Sequence, residues 1–203
     1  VAADFGDTAY WGPRVGKIDA LFHQAAITDT TVTDQHLMMR VNVESFRELL
    51  AWAAKAKVKK IVYASSAGVY GDLPVPQRED SETRPLNVYA FSKAVMEAVA
   101  AQAKGVKAVG LRYFNAFGPR EAHKNKAASM IWQLSLQMKA GRRPRIFEFG
   151  EQYRDFIYVK DVVDSNVKAF EKAAPGVYNA CTGRKTDFNA VVAALNSTLG
   201  VSL

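Results

Sequence analysis

Short apolar runs alternate with longer amphipathic segments along the first half of the chain. Ile61 to Ala64 is a β-rich run that follows a basic stretch, as expected for a buried parallel strand. Val41 to Lys57 has an alanine-rich apolar face and predicts a helix. Ser92 to Lys104 predicts another helix, and Val106 to Phe114 predicts the strand after it. This alternation predicts an α/β fold with a parallel sheet and covering helices.

The pattern loosens after Gly118. A long helix is predicted from Ala127 to Ala140, and short strands are predicted around Ile146, Phe156 and Val177. We interpret these segments as a smaller C-terminal lobe that is closely packed on the sheet.

Composition narrows the class of protein. The chain has 203 residues, of which 49% are hydrophobic and 23% charged, which is ordinary globular composition. The single cysteine, Cys181, excludes a disulfide framework and suits a reducing compartment. No apolar run approaches the roughly 18 residues that cross a bilayer, and no signal peptide is recognisable. We therefore expect a soluble cytoplasmic protein without a membrane partner.

The net charge of +7 raises the question of nucleic acid. However, the lysines and arginines are scattered, and the densest piece, Gly141 to Arg145, lacks the interleaved aromatic residues of a single-strand platform. A positive surface also attracts phosphorylated metabolites. We expect no nucleic-acid partner. We also expect no metal, because no group of His, Cys and Asp residues has metal-ligand spacing.

Tyr89 and Lys93 are spaced to share one face of a helix, one turn apart. A free phenol titrates near ~10 and is a poor base at neutral pH, but a neighbouring ammonium favours the phenolate. The spacing alone also fits a solvated lysine beside a half-buried tyrosine. Ser66, at a predicted strand end 23 residues before Tyr89, favours the chemical interpretation. The three residues predict proton transfer coupled to hydride transfer at a carbinol.

Five segments carry a resemblance to a known family, and they follow the family's order along nearly the whole chain. They are His23-Gln-Ala-Ala26, Ser65-Ser-Ala-Gly-Val-Tyr-Gly71, Tyr89-x-x-x-Lys93, Arg112-Tyr-Phe-Asn-Ala-Phe-Gly-Pro119 and Arg154-Asp-Phe-Ile-Tyr-Val-Lys-Asp161. The chain resembles the extended short-chain dehydrogenases/reductases, within the nucleotide-sugar epimerases and dehydratases. The resemblance implies a Rossmann-like sheet, NADP or NAD as cofactor, a nucleotide-diphosphate-sugar substrate and a homo-oligomer.

The resemblance also implies residue roles. Ser66 would bind the reacting substrate oxygen, Tyr89 would transfer its proton, and Lys93 would tune Tyr89 and hold the nicotinamide ribose. The other implied cofactor contacts are Ala25, Ala26, Asn42, Ser65 and Phe114, and the implied substrate contacts besides Ser66 are Asn115 and Arg154. Phe147 is a further candidate, as an aromatic residue on which the nucleotide base could stack. Ser65 equally fits a strand-end cap, Phe147 a core aromatic, and the two alanines a tight turn. His23 is expected to be structural.

A narrower resemblance is to the ADP-glycero-manno-heptose 6-epimerases. It depends on Thr30-Thr31, Met38-Met39, Asn42, Pro85-Leu-Asn-Val-Tyr89 and, above all, Gly118-Pro-Arg-Glu-Ala-His-Lys-Asn-Lys-Ala-Ala-Ser129. In that family a lysine of the Arg-Glu-x-His-Lys segment is thought to be a second acid/base, and Lys124 matches it. Lys126 lies two residues further on and could be confused with it. The alternative for Lys124 is a phosphate-contacting or solvated lysine.

The start of the sequence departs from the family pattern. A dinucleotide-binding domain should open with a strand and a Gly-rich phosphate turn, and neither is found here. Ala3-Asp4 and Asp19 to His23 resemble the family's third and fourth strands, so the first β-α-β unit is expected to be missing from this sequence. We expect a partial dinucleotide-binding domain over residues 1–117. Residues 118–203 would be mainly a substrate-binding lobe, with interspersed segments returning to the sheet.

Several functions remain open at this point. The leading one is epimerisation at C6 of an ADP-heptose by transient oxidation and re-reduction. A UDP-glucose/galactose 4-epimerase shares Ser66, Tyr89 and Lys93 but usually lacks the His-Lys segment. A dehydratase usually has an Asp-Glu pair near the strand end, where this chain has Ala67-Gly68. A non-catalytic nucleotide-sugar-binding fragment fits the missing Gly-rich turn, although the three retained residues oppose it.

Overall fold

The computed structural model describes residues Ala3–Phe147 and Phe149–Leu203, without the side chain of Lys126. The strands are β1 (Ala20–His23), β2 (Lys60–Ser66), β3 (Lys107–Tyr113), β4 (Asn115–Phe117), β5 (Tyr153–Arg154), β6 (Phe156–Tyr158), β7 (Gly176–Ala180) and β8 (Thr186–Asp187). The α-helices are α1 (Thr8–Trp11), α2 (Gln35–Met38), α3 (Ser45–Lys55), α4 (Val88–Gln102), α5 (Met130–Lys139), α6 (Val159–Lys172) and α7 (Phe188–Leu199). A π-helical segment, Met39–Glu44, joins α2 to α3, and 3₁₀ segments cover Gly12–Arg14, Ala67–Tyr70 and Ala122–Ala127.

Four strands form a parallel sheet in the order β1-β2-β3-β7. Parallel neighbours need a crossover connection. Here α2 and α3 connect β1 to β2, and α4 connects β2 to β3. β4 pairs with β6 in parallel, and β5 pairs with β8 in antiparallel. The predicted α/β fold, with a parallel sheet and covering helices, is confirmed.

The chain divides into two compact units. The first unit contains the described residues up to Tyr113 together with Asp164–Ala180, and the second contains Phe114–Val163 and Cys181–Leu203. The core of the first unit forms between α3, α4 and the sheet, and its fully buried members include Phe46, Ile61 and Met96. The second unit has a smaller core of Leu134, Phe188 and Val191. The assignment of cofactor and substrate to separate domains stays a prediction.

Most predicted elements occur with shifted bounds. The helix expected from Val41 begins earlier, at Gln35, because the Asp34 carboxylate accepts the backbone N–H of Leu37 and caps that end. The helix expected from Ala127 begins only at Met130, because the Ser129 hydroxyl caps it by accepting the N–H of Trp132.

Two expectations about strands were wrong. Ala3 and Asp4 lie in no strand, because Asp4 accepts the N–H groups of Gly6 and Asp7 and forms a turn. Ile146 also lies in no strand; its side chain packs on the core of the second unit. The strand expected around Val177 is found as β7; its backbone pairs with that of β3, so it is one of the segments that return to the sheet.

A tight turn follows the strand end that carries Ser66. Gly71 has φ +61°, and a Cβ atom there would collide with the carbonyl oxygen of Arg84. The Arg84 N–H in turn donates to the carbonyl of Val69 at 2.8 Å. The backbone therefore passes close to itself just beyond Ser66, and this position requires glycine.

We predict that Gly71→Ala lowers the free energy of unfolding by more than about 2 kcal/mol, because a strained φ adds to a backbone collision. Gly16→Ala is the matched control: its φ is +64°, but no atom lies within 4 Å of the added Cβ. The control should lose only about 1 kcal/mol. Urea unfolding of both variants measures the difference, and equal losses would show that the contact with Arg84 is relieved at no cost.

Candidate active site

Ser66 and Tyr89 meet at the carboxyl end of β2. Ser66 is the last residue of that strand, and its hydroxyl accepts the N–H of Gly68 at 3.1 Å. Tyr89 lies in the first turn of α4, which the Asn87 side chain caps by accepting the N–H of Ala90 at 2.8 Å. The Ser66 side chain lies close enough to the Tyr89 hydroxyl to lower the pKa of that phenol. The structure thus places Ser66 at a strand end and Tyr89 at the start of a helix, as the sequence predicted.

Lys93 lies one turn further along α4 and is 1% exposed. Its Nζ donates to the carbonyl oxygen of Ala64 at 2.8 Å and lies 5.8 Å from the centroid of the Tyr89 ring. The structure therefore brings Ser66, Tyr89 and Lys93 together within the first unit.

Burial dominates the protonation of both helix residues. It raises the pKa of Tyr89, and the nearby Ser66 side chain lowers that pKa only in part. Burial lowers the pKa of Lys93 to about 8. In the protein alone, burial outweighs the effects that lower the Tyr89 pKa, so the lowering expected from Lys93 and the nicotinamide stays a prediction for the cofactor-bound protein. Tyr89 is therefore a neutral hydrogen-bond donor at neutral pH.

Asn42 holds the loop that follows β1. Its side-chain amide exchanges two hydrogen bonds with the backbone of Ile27, at 2.8 and 3.0 Å, and donates to the Ser92 hydroxyl at 3.0 Å. Ser92 donates to the carbonyl of Tyr89 at 2.7 Å. Asn42 lies in the π-helical segment, a distortion that is frequent at functional sites.

Since Asn42 is 0% exposed, any contribution to cofactor binding is indirect. It positions the loop of Ala25 and Ala26, whose small side chains leave the backbone accessible at the end of a parallel strand. Phe114 directly follows β3 and is partly buried. The cofactor roles of these residues stay predictions.

Ser65 has a different partner from the one expected. It is 2% exposed, and its hydroxyl donates to Glu97 at 2.5 Å, because neighbouring residues of a strand point to opposite faces. Its side chain is therefore used inside the protein. The sequence analysis missed Glu97, although Tyr89, Lys93 and Glu97 follow each other at intervals of four residues on one helix face.

The three predicted substrate residues of the second unit line one cavity of about 200 Å³. Asn115, Phe147 and Arg154 share it with Ala116, Ser129, Met130, Gln152, Phe156 and Phe188. Phe147 is 74% exposed, so it is no core residue. The sequence analysis missed Gln152, which lies two residues before Arg154, and Ser129, which ends the segment that includes Lys124.

Asp155 holds Asn115, one of the residues that line this cavity, by hydrogen bonds. Its carbonyl accepts the backbone N–H and the side-chain amide of Asn115, both at 3.1 Å. Its carboxylate accepts the N–H groups of Thr182 and Gly183, at 2.9 and 2.7 Å. Arg154 is exposed, and its Nη1 donates to the carbonyl of Tyr153 at 2.8 Å.

Lys124 is exposed and lies in the 3₁₀ segment Ala122–Ala127, which belongs to a loop held at both ends by Glu121. The Glu121 carboxylate is 5% exposed in this fold and accepts the N–H groups of Gly118 at 2.9 Å and Ser129 at 2.6 Å. Burial would raise the pKa of Glu121, but these hydrogen bonds and the charge of Lys124 lower it below its usual range. Lys124 is not among the residues that line the cavity. Its catalytic role stays a prediction, and the side chain of Lys126 lies outside the described part of the chain.

His23 is buried at the end of β1. It is 4% exposed, stacks on Phe46 at 5.2 Å between ring centroids, and contacts Phe5 at 4.7 Å. Its Nε2 atom has no hydrogen-bond partner among the described residues. Burial lowers the pKa of His23 to about 4, with a further contribution from the charge of Lys93. His23 is therefore a neutral part of the core.

Within Ala3–Phe147 and Phe149–Leu203, no group of three or more His, Cys, Asp and Glu side chains is arranged to hold a metal ion. None of the helices described there is both long and apolar enough to span a bilayer.

Comparison with known proteins decides the family. Residues 7–181 match the family described as NAD dependent epimerase/dehydratase. The chain belongs to this family. The family's dependence on NAD confirms the expectation of a nicotinamide cofactor.

Solved structures of two epimerases and a dehydratase are similar to this protein over almost the whole chain. The ADP-L-glycero-D-manno-heptose-6-epimerase of Helicobacter pylori is 43% identical, with a TM-score of 0.92 over 99% of this chain and 65% of its own. The UDP-glucose 4-epimerase of Thermus thermophilus, in complex with NAD, is 28% identical, with a TM-score of 0.82 over 98% of this chain and 68% of its own. An NAD-dependent NDP-hexosamine 5,6-dehydratase of tunicamycin biosynthesis is 28% identical, with a TM-score of 0.82 over 98% of this chain and 65% of its own.

The chain thus spans 65% of the length of the heptose epimerase. The residues present fit the nicotinamide part of NAD. The Lys93 ammonium has three N–H donors, so its contact with Ala64 is compatible with another to a ribose hydroxyl. Ala25 is exposed, and its small side chain would leave room for a dinucleotide to approach the backbone.

The buried His23 should make the free energy of unfolding depend on pH. Since its pKa falls from an ordinary 6.5 to about 4 on folding, the unfolded chain binds the proton more readily between these values. The stability of the neutral form is complete above pH 6.5 and should fall between pH 6.5 and about 4, by on the order of 3 kcal/mol at most. Urea midpoints at pH 7.5 and 4.5 measure this loss.

The control separates His23 from other acid-sensitive groups. His23→Gln should be less stable at pH 7.5 but lose less on acidification, because it has no imidazole to protonate. His36→Gln removes an exposed histidine of the same unit and should lose as much as the parent protein. An unchanged acid loss in His23→Gln would assign the effect to other groups.

Proposed function

We propose that the protein is a nucleotide-diphosphate-sugar epimerase that acts at C6 of ADP-glycero-manno-heptose. The observation that carries the reaction class is the placement of the Tyr89 hydroxyl next to Ser66 and near the buried ammonium of Lys93. The heptose substrate is favoured by the 43% identity to a heptose 6-epimerase and by the segment that includes Lys124. We expect a cytoplasmic homo-oligomer.

Ser66, Tyr89 and Lys93, all in the first unit, would have separate roles in the proton transfer. The Ser66 hydroxyl hydrogen-bonds to the reacting oxygen of the sugar, and the Tyr89 hydroxyl exchanges a proton with that oxygen. Tyr89 needs positive charge nearby to lose its proton, because burial favours the neutral phenol. Lys93 supplies one such charge and holds the nicotinamide ribose. The cofactor, when bound, supplies the acceptor and donor of the hydride.

The cavity of the second unit would hold the nucleotide. Arg154 can donate two parallel hydrogen bonds to phosphate oxygens, and the second N–H of the Asn115 amide can add another. Phe147, exposed at the edge of the cavity, offers a face on which a nucleotide base can stack. The polar and apolar lining residues thus match a diphosphate next to an aromatic base.

Lys124 is proposed as a second acid/base. An epimerase returns the hydride to the opposite face of a carbonyl, so protons are needed on both sides, and one tyrosine serves both with difficulty. Glu121 supports this role because its carboxylate joins the two ends of the loop that presents Lys124.

A UDP-hexose 4-epimerase is the second candidate. The similarity to a UDP-glucose 4-epimerase favours it. A single tyrosine would suffice for this reaction if the whole sugar turned over between the two hydride transfers. A nucleotide-sugar-binding protein without activity is the alternative of another class.

We predict that Tyr89→Phe in the full-length protein lowers turnover of ADP-heptose by roughly 10²- to 10⁴-fold, because it removes only the proton-transferring oxygen. Nucleotide binding should stay nearly unchanged. Tyr10→Phe, at an exposed tyrosine of the same unit, is the control and should keep full activity. Retention of more than about a tenth of the activity in Tyr89→Phe would contradict the assignment. Absence of turnover of both ADP-heptose and UDP-glucose by the parent protein would support the binding protein.

Lys124→Met distinguishes the two epimerase proposals. It should block epimerisation of ADP-heptose but spare the half-reaction on one face of the sugar, measured by dismutation of an aldehyde analogue. Lys126→Met is the matched control in the same loop and should behave as the parent protein. Full heptose epimerase activity in Lys124→Met would leave Tyr89 as the acid/base on both faces. Turnover of UDP-glucose in preference to ADP-heptose would then favour the 4-epimerase.

A further inference from the structure

A buried polar network begins at Ser65, the residue that precedes Ser66 on β2. Its centre is the carboxylate of Glu97, one turn beyond Lys93 on the same face of α4. The Glu97 carboxylate accepts the Ser65 hydroxyl at 2.5 Å and two N–H groups of Arg112, from Nε at 2.9 Å and from Nη2 at 2.7 Å. One carboxylate thus joins α4 to both β2 and β3.

The network continues from Arg112 to the next strand. The Nη1 group of Arg112 donates to the Tyr70 hydroxyl at 2.8 Å, and the guanidinium lies 4.7 Å from the centre of that ring. Tyr70 donates to the side chain of Asn179, in β7, at 2.7 Å. The backbone N–H of Asn179 donates to the carboxylate of Glu79 at 2.8 Å. Every member of this network belongs to the first unit.

Protein stability alone does not explain why Arg112 and Glu97 form a buried ion pair. The side chains of Arg112 and Glu97 are only 4% and 10% exposed, so both charges are largely removed from water. Burial would lower the pKa of Arg112, but the hydrogen bonds to Glu97 and Tyr70 outweigh burial and raise it. A buried ion pair often contributes no more to stability than well-packed apolar side chains would. Its hydrogen bonds, however, define a geometry that apolar contacts do not.

We propose that Glu97 and Arg112 are positioning residues for the Ser66–Tyr89 pair. Ser65 is the immediate neighbour of Ser66, and Glu97 shares the helix face of Tyr89 and Lys93. The bond between Ser65 and Glu97 therefore sets the rotation and height of α4 against the end of β2, and Arg112 holds Glu97 in place. This inference rests on the proposed function of Ser66 and Tyr89.

Loss of the contacts of Glu97 or Arg112 should displace the Ser66 and Tyr89 hydroxyls relative to each other. The hydroxyls of Ser66 and Tyr89 act on the same substrate oxygen, and a displacement of about 1 Å can cost on the order of a hundredfold in rate. Neither Glu97 nor Arg112 needs to touch substrate or cofactor for this. Loss of alignment also weakens the interaction by which Ser66 lowers the pKa of Tyr89, so the Tyr89 phenol should titrate at higher pH.

The test is Glu97→Gln in the full-length protein, with Glu48→Gln as control for removal of an exposed carboxylate on α3. We expect kcat to fall by on the order of tenfold to a hundredfold at temperatures where the variant is folded, with little change in KM. Nuclear magnetic resonance of ring-labelled tyrosine in the cofactor-free protein should show the Tyr89 titration moved to higher pH. Arg112→Lys, which keeps the charge but not the two-pronged contact, should give a smaller shift in the same direction.

The outcomes separate this inference from the function beneath it. If Glu97→Gln lowers the melting temperature but keeps kcat and the Tyr89 titration of the Glu48→Gln control, Glu97 is only structural and the proposal is overturned. If Glu97→Gln does not fold, kcat and the Tyr89 titration are measured in Arg112→Lys instead, and the same results support or overturn the proposal. Normal turnover in Tyr89→Phe would instead refute the proposed function itself, whatever Glu97→Gln does.

Discussion

The buried ammonium of Lys93 is the constraint on which the first unit depends. Taking a charge out of water is costly, and a buried lysine responds by a lowered pKa, here to about 8. The Ala64 carbonyl, at the end of a parallel strand, offsets part of this cost by accepting the Nζ proton. Removal of that charge would relieve the desolvation, so its retention is better explained by chemistry than by stability.

Two glutamates have the same structural task in different units. Glu97 joins α4 to two strands, and Glu121 joins the two ends of the loop that includes Lys124. In each case one carboxylate collects several donors and lies within four residues of a lysine proposed to act in catalysis. A carboxylate suits this task because it accepts several hydrogen bonds at once, and each is stronger for its charge.

The sequence predicted the parts of the site that depend on local spacing. Ser66, Tyr89 and Lys93 were found because a strand end and a helical repeat are visible in the residues themselves. The partner of Ser65 was not, since it depends on how α4 rotates against β2. Ile146 illustrates the same limit in the fold: an apolar residue near a predicted strand is equally satisfied by burial against helices. Tertiary packing, and not propensity, decided each of these cases.

Reaction class is easier to infer than substrate because different residues are proposed for each. Ser66, Tyr89 and Lys93 are proposed to act on one carbon–oxygen bond, and that chemistry is compatible with the heptose epimerase, the hexose epimerase and the dehydratase that the chain resembles. The sugar nucleotide would be selected by the lining of the second unit. There Gln152 and Ser129 add polar groups that the general proton-transfer chemistry does not require. Differences of a few side chains in that cavity can therefore change the substrate while the buried Lys93, and the chemistry it supports, stay the same.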